Sequence, residues 1–204
     1  MKAFEAGEIP SKREAIIVGA TEMFLREGYG ASSMEAIARM AGVSKQTIYA
    51  HFDSKDSLFE AIIRQKCDDI LVPNVVSGEQ VGSVSDVLTS IAEGFLSRVL
   101  SHENIRLFRI IVGESVRFPE LAAAFYRSGP RLAADQLSVF LEHAAAEGKL
   151  RIDDPSKAAA LFFGMLRGDI YMRRLLDIDS AFDDQEAAHY VQITVKTFLK
   201  AHAA

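Results

Sequence analysis

The run from Ser33 to Phe52, SMEAIARMAGVSKQTIYAHF, limits what this chain can fold into more than any other segment. It reads as two short helices joined by a tight turn. Ser33 is placed to cap the first helix, and Met34, Ile37, Ala38 and Ala41 then fall at helical spacing on one face. Gly42 follows, where a helix ends most easily in a left-handed conformation that glycine adopts without strain. Ser44 caps the second helix, whose Ile48 and Phe52 are four residues apart and share its buried side. Lys45, Gln46, Thr47 and Tyr49 cluster near the N-terminus of that helix as hydrogen-bonding side chains. The arrangement is a helix-turn-helix, a motif that offers the early residues of its second helix to base edges in a DNA major groove.

The flanking sequence supplies the rest of a helical head. Ser11 with Glu14 forms a capping box, so a helix starts near Lys12 and buries Ile16, Ala20, Met23 and Phe24 until Gly28 stops it. The residues before Ser11 lack periodicity and are expected to form a flexible arm. After Phe52, Asp53-Ser54 opens another helix, carrying Leu58, Phe59 and Ile62, with Pro73 closing the run. The Gly- and Ser-rich stretch from Pro73 to Ser85 marks a junction.

Beyond the junction every segment is helical in character. Helices are expected over Ser85 to Ser101, Asn104 to Phe118, Pro119 to Ala146, from Pro155 onward, and from about Asp183 to His202. Gly129-Pro130 predicts a kink or break inside the third of these, because proline removes a backbone donor and clashes with the preceding turn. The Pro155 helix, with AAALFFGML, is apolar nearly all round and requires partners on more than one side. No useful strand-like alternation occurs. The expected fold is all-α: a three-helix DNA-binding head over 1–60, then a helical bundle over 61–204.

Composition restrains this reading in specific ways. Roughly half of the 204 residues are hydrophobic and a quarter charged, the balance of a soluble globular chain with ample core. No segment reaches the ~20 apolar residues of a membrane span, and the N-terminus lacks a signal peptide's apolar stretch, so a cytoplasmic, non-membrane protein is expected. A single cysteine, Cys67, excludes an internal disulfide and a cysteine zinc site. The net charge of −5 argues against phosphate binding. Between Gly28 and Glu60, Arg39, Lys45 and Lys55 face Glu35, Asp53, Asp56 and Glu60. The counterweight is local: Lys45 and Lys55 lie beside helix N-termini, which add partial positive charge and free amides.

The ordered series Arg13, Phe24, Gly28, Tyr29, Ile37-Ala38, Ala41-Gly42-Val43-Ser44, Tyr49, His51-Phe52, Ser54-Lys55 and Leu58 resembles the TetR family of transcriptional regulators. The remainder, through GESVRFPEL, AAEGKLRIDDPSKAA and GMLRGDIYMRRLL, is similar to the C-terminal domain of the AefR-like subgroup. The resemblance implies a homodimer that binds a double-stranded DNA operator, usually as a repressor, and is released by a small-molecule effector held in the C-terminal helices. It also implies pairing of the last two helices, at about 155–176 and 183–202, with their dimer mates. Alternatives are an activator, or a small-molecule-binding or enzymatic bundle that retains the head.

The candidate DNA-binding set is Ser33, Ser44, Lys45, Gln46, Thr47, Tyr49, His51 and Lys55. Gln46 and Thr47 sit where base edges are reachable, glutamine suiting adenine and the threonine methyl suiting thymine. Lys45, Ser33, His51 and Lys55 suit phosphates. The family likeness places the Tyr49 hydroxyl on a phosphate. Candidate effector-lining residues are Phe95, Phe108, Ile111, Phe125 and Phe163, with ordinary core packing as the competing role. Arg109 and Glu114 interrupt an apolar helix and are expected to face water, with a ligand-orienting role as the alternative. Glu186 and His189 have the spacing of a di-metal carboxylate motif, but one copy without facing glutamates makes no site. No cofactor, metal or catalytic constellation is expected.

Overall fold

The computed structural model describes residues 11–68, 82–178 and 184–204. The expected N-terminal arm and most of the junction lie outside those residues, as do Pro73 and Asp183. The helices are α1 Lys12–Glu27, α2 Met34–Met40, α3 Lys45–His51, α4 Lys55–Asp68, α5 Val84–Val99, α6 His102–Glu114, α7 Pro119–Tyr126, α8 Leu132–Ala146, α9 Pro155–Leu175 and α10 Asp184–Ala201. Among the described residues there is no strand, only an isolated bridge between Leu150 and Ala203. The fold is all-α.

Local chemistry sets most of the boundaries. Ser11 and Glu14 complete a capping box at α1, and Gly28, at φ +84°, ends that helix while its amide still donates to Phe24 O. A second capping box, Ser83 with Asp86, starts α5 slightly earlier than the apolar spacing alone indicates. α6 stops at Glu114 rather than running to Phe118. Phe118 precedes Pro119, which disfavours helical backbone there, and the amides of Arg117 and Phe118 both turn back onto Glu114 O. Pro130 produces a wide π-helical turn, Arg127–Arg131, between α7 and α8.

The chain divides into two compact units, Met1–Arg64 with Ile110–Phe125, and Gln65–Arg109 with Tyr126–Ala204. In the first unit the rings of Phe24, Tyr29 and Phe59 meet at 5.3 to 5.9 Å, with Phe118 packed edge-on to Tyr29 at 5.5 Å. Ile16, Ala20, Ile37, Ile48 and Leu58 complete a dry centre beneath α2 and α3. Gly19 allows α1 to pass under the α2–α3 turn, since a Cβ there would lie 3.1 Å from the Ala41 amide nitrogen.

In the second unit α9 is the central element and packs on α8, α5 and α10. Phe162, Phe163 and Leu166 of α9 are buried against Leu88, Phe95, Leu137, Phe140, Val195 and Phe198. This supplies the several-sided partnership its apolar sequence requires. Gly168 departs from helical geometry inside α9, and the Tyr190 hydroxyl of α10 accepts the Asp169 amide at 3.3 Å. The Arg151 amide donates to His202 O at 2.9 Å, tying the α8–α9 loop to the end of α10.

Candidate nucleic-acid interface

The helix-turn-helix is fixed by backbone chemistry before any partner is considered. The Ser33 hydroxyl accepts the Ala36 amide at α2, and the Ser44 hydroxyl accepts the Thr47 amide at α3. Between them Gly42 takes φ +66°, and the Val43 amide reaches Ala38 O at 2.9 Å. Ile48 and Phe52 are buried, so α3 has a single outward side. On that side Lys45, Gln46 and His51 are exposed, Tyr49 is 40% exposed and Thr47 is half-buried.

The outward side carries its own electrostatics. Lys45 Nζ lies 2.6 Å from a Glu35 oxygen and 5.8 Å from the centre of the Tyr49 ring. The pairing holds the lysine above its usual pKa and the glutamate below its own, through the mutual hydrogen bond first, so both are ionised at neutral pH. Glu35 was not anticipated from sequence, because nothing in its spacing from Lys45 shows that two helix N-termini converge. The hydroxyls of Ser44 and Thr47 lie 2.8 Å apart, so Thr47 supports the cap as well as facing outward. Arg13 stands 5.4 Å over the Phe52 ring, which places a cation from α1 beside the end of α3.

Lys55 departs from expectation. Its ammonium donates to the carbonyls of Tyr29 at 2.7 Å and Ser32 at 2.9 Å, and lies 4.2 Å from the Tyr29 ring centre. Burial pulls its pKa below the ordinary lysine value, with Asp56 and Glu114 opposing that pull. Two of the three ammonium donors of Lys55 are thus taken by loop carbonyls, which sets it apart from the other candidate phosphate ligands. Ser33, Ser44, Lys45, Gln46, Thr47, Tyr49 and His51 remain together on or beside α2 and α3.

The candidate effector residues are dispersed. Phe95 and Phe163 are both buried, with ring centres 4.8 Å apart, and Phe108 meets Tyr171 at 5.9 Å. All four lie in the second unit, whereas Ile111 and Phe125 lie in the first. Arg109 and Glu114 do not face water as expected. Arg109 donates to Leu175 O and Arg174 O, closing the end of α9, and Glu114 accepts from the Gly30 amide. Glu186 pairs with Arg173, and among the described residues no group of metal-ligating side chains assembles. An open concavity of about 530 Å³ lies between Arg151, Lys157, Leu161 and His202, and no candidate residue lines it. No helix among the described residues is long and apolar enough to cross a membrane.

Comparison with known proteins locates these features in a wider set. Residues 16–62 match the profile for bacterial regulatory proteins of the tetR family. Residues 86–204 match the profile for the C-terminal domain of AefR-like transcriptional repressors. The chain is 40% identical over 67 residues to the transcriptional activator FasR of Mycolicibacterium smegmatis, covering 33% of this chain and 28% of that protein. It is 32% identical over 120 residues to the regulator UidR of Escherichia coli strain K12, covering 57% and 58%. The matches thus span less than two thirds of these curated relatives. Among solved structures, the flavonoid-responsive regulator FrrA is 37% identical with a TM-score of 0.75, over 94% of this chain and 97% of its own. A regulator from Mesorhizobium loti reaches a TM-score of 0.79 at 27% identity, over 95% and 97%.

Proposed function

This chain belongs to the TetR family of transcriptional regulators, and on that premise we propose that it is a homodimeric repressor released from a palindromic operator by a small molecule. The observation that carries the reading is the outward side of α3, where Lys45, Gln46, Tyr49 and His51 are exposed together while Ile48 and Phe52 are buried. Gln46 and Thr47 are assigned to base edges, and Ser33, Ser44, Lys45, Tyr49 and His51 to phosphates. Such a function places the protein in the cytoplasm, with its working division at about residue 60.

Repression is favoured over activation by which part of the chain carries each likeness. The match to FasR, named an activator, covers only 33% of this chain, whereas the profile named for repressors covers residues 86–204. Family members named in the comparisons are regulators, which favours this reading over an enzymatic one. For the effector we propose a planar aromatic compound of the flavonoid class. FrrA is named for a flavonoid response, and the rings of Phe95, Phe163, Phe108 and Tyr171 supply apolar stacking partners on the helices of one unit.

The dimer face is assigned to α9 and α10. Leu161, Met172 and Leu176 are 65%, 52% and 62% exposed, and Ile193 on α10 is 51% exposed, an apolar set suited to burial against a second copy. α4 is the proposed lever: it starts in the first unit, and its Lys66 pairs with Glu103 of α6 at 2.9 Å in the second. An effector that binds better when the two heads are spread lowers operator affinity by that difference.

Selection of duplexes from a random pool by the full-length protein tests the central reading. A palindromic sequence should be enriched, Gln46→Ala should relax its base preference, and a flavonoid panel should release it. Recovery of no duplex at low salt would end the proposal.

A further inference from the structure

A polar cluster in the first unit takes no part in the duplex contacts proposed above. The turn that ends α6 sets the Glu114 carboxylate and the Phe118 ring against the α1–α2 loop. Both Glu114 oxygens accept from the Gly30 amide, at 3.2 and 3.1 Å. The loop is shaped to admit them. A Cβ on Gly28 would stand 2.7 Å from Oε1, and one on Gly30 would stand 2.9 Å from both Oε2 and the Phe118 ring. Gly28 also takes φ +84°, so backbone conformation and space both exclude a side chain there. Phe118 meets the Tyr29 ring edge-on, and the Lys55 ammonium lies 4.2 Å from the Tyr29 ring centre and 5.8 Å from that of Phe118 while bonding Tyr29 O and Ser32 O. The Ser32 hydroxyl donates to Gly28 O at 2.7 Å, and the next residue, Ser33, caps α2.

We propose that Glu114 and Phe118 are positioning residues for DNA recognition: they hold the Gly28–Ser33 loop in the conformation from which Ser33 caps α2, and so set where α3 meets the duplex. The inference rests on the reading of α3 as the recognition helix and extends it to residues that touch no DNA. α6 begins at His102 in the second unit and ends on this carboxylate in the first. Withdrawal of the carboxylate leaves the Gly30 amide without its acceptor and frees the loop to shift α2.

The test uses the full-length protein and a duplex enriched from a random pool by the wild type, with affinity read by fluorescence anisotropy across a salt series. Glu114→Ala, Phe118→Ala and Gly30→Ala should each weaken binding about tenfold or more, with the slope of log affinity on log salt unchanged, because no cation is removed from the phosphate contacts. Lys45→Ala should instead lower that slope by about one. Glu114→Ala combined with Gly30→Ala should lose less than the sum of the two changes, since the carboxylate contact is common to both while the close approach to Phe118 belongs to Gly30→Ala alone. Glu114→Gln, which keeps an acceptor oxygen, should recover part of the loss. Affinity within about twofold of wild type for Glu114→Ala, additive losses, or an altered salt slope would each overturn the proposal. Should Glu114→Ala not fold, Glu114→Gln decides: weaker binding together with faster exchange of the Gly30 amide supports the role, and unchanged binding overturns it. A wild type that enriches no duplex sinks the recognition-helix reading and this proposal with it, a result distinct from wild-type binding with an indifferent Glu114→Ala.

Discussion

Lys55 stands at the first position of α4, where an ammonium beside a helix N-terminus would ordinarily be offered to a phosphate. Its two bonds to the carbonyls of Tyr29 and Ser32 give it a different task, because a carbonyl left bare in a partly buried loop costs more than the bond itself is worth. Lys55→Met should therefore lower the unfolding free energy by about 1–3 kcal/mol in urea titrations while leaving the salt slope of DNA binding unchanged. A slope reduced as in Lys45→Ala would return Lys55 to the phosphates. Tyr29 belongs to the same cluster, and its hydroxyl donates to Asp56. Burial, then that bond, holds its pKa above the ordinary tyrosine value. A raised native pKa gives stability that is fully present below the unfolded value, near about 10, and lost as pH rises through the native one. Unfolding free energy measured from neutral to alkaline pH should fall more steeply above pH about 10 in the wild type than in Tyr29→Phe.

At the scale of elements, what sequence revealed and what it concealed divide by range. Caps are local, so Ser11, Ser33 and Ser44 were legible, and each hydroxyl accepts the amide three residues on. Ser44→Ala should cost about 1 kcal/mol in thermal or urea unfolding and weaken duplex binding, because the first turn of α3 carries Lys45 and Gln46. The buried stripes were legible for the same reason, their period being that of the helix. Pro130 announced an irregularity, though its π-helical form depends on how α7 and α8 continue on either side. Long-range packing left no trace in spacing. Nothing near Gly30 indicates that Glu114 will meet it, and nothing near Lys45 points to Glu35. The same holds for α9, where nothing in the spacing marks Gly168 as the site of a departure from helical geometry. Its neighbour is the Tyr190 hydroxyl, only 1.8 Å from where a Cβ would stand. Gly168→Ala should displace Tyr190, free the Asp169 amide and destabilise the protein by about 1–3 kcal/mol in thermal unfolding. Tyr190→Phe, which removes the acceptor without a clash, should cost less.

For the whole molecule, charge decides how much a single head can do. Of the three cations between Gly28 and Glu60, two are engaged within the chain, Lys55 by loop carbonyls and Lys45 by Glu35, and the third, Arg39, also acts on Glu35. A duplex must therefore compete with Glu35 for Lys45, and the phosphate term per head is small. In the proposed dimer, affinity comes from two heads held on successive major grooves, ~34–36 Å apart, each raising the local concentration of the other. The proposed dimer face supplies that connection, and it can be broken without touching the heads. Leu161 and Ile193 are exposed in the single chain, so Leu161→Glu with Ile193→Glu should leave the helical content and the monomer fold intact. In sedimentation the variant should run as a monomer, and its affinity for the enriched duplex should fall about a hundredfold or more while the preference for the half-site sequence survives. The segment Met1–Arg64 alone should be weaker still. It lacks the partner head and also the Ile110–Phe125 stretch, whose Glu114 and Phe118 brace the α1–α2 loop. If that segment bound the duplex as tightly as the whole chain, neither the dimer nor the brace would be needed for recognition.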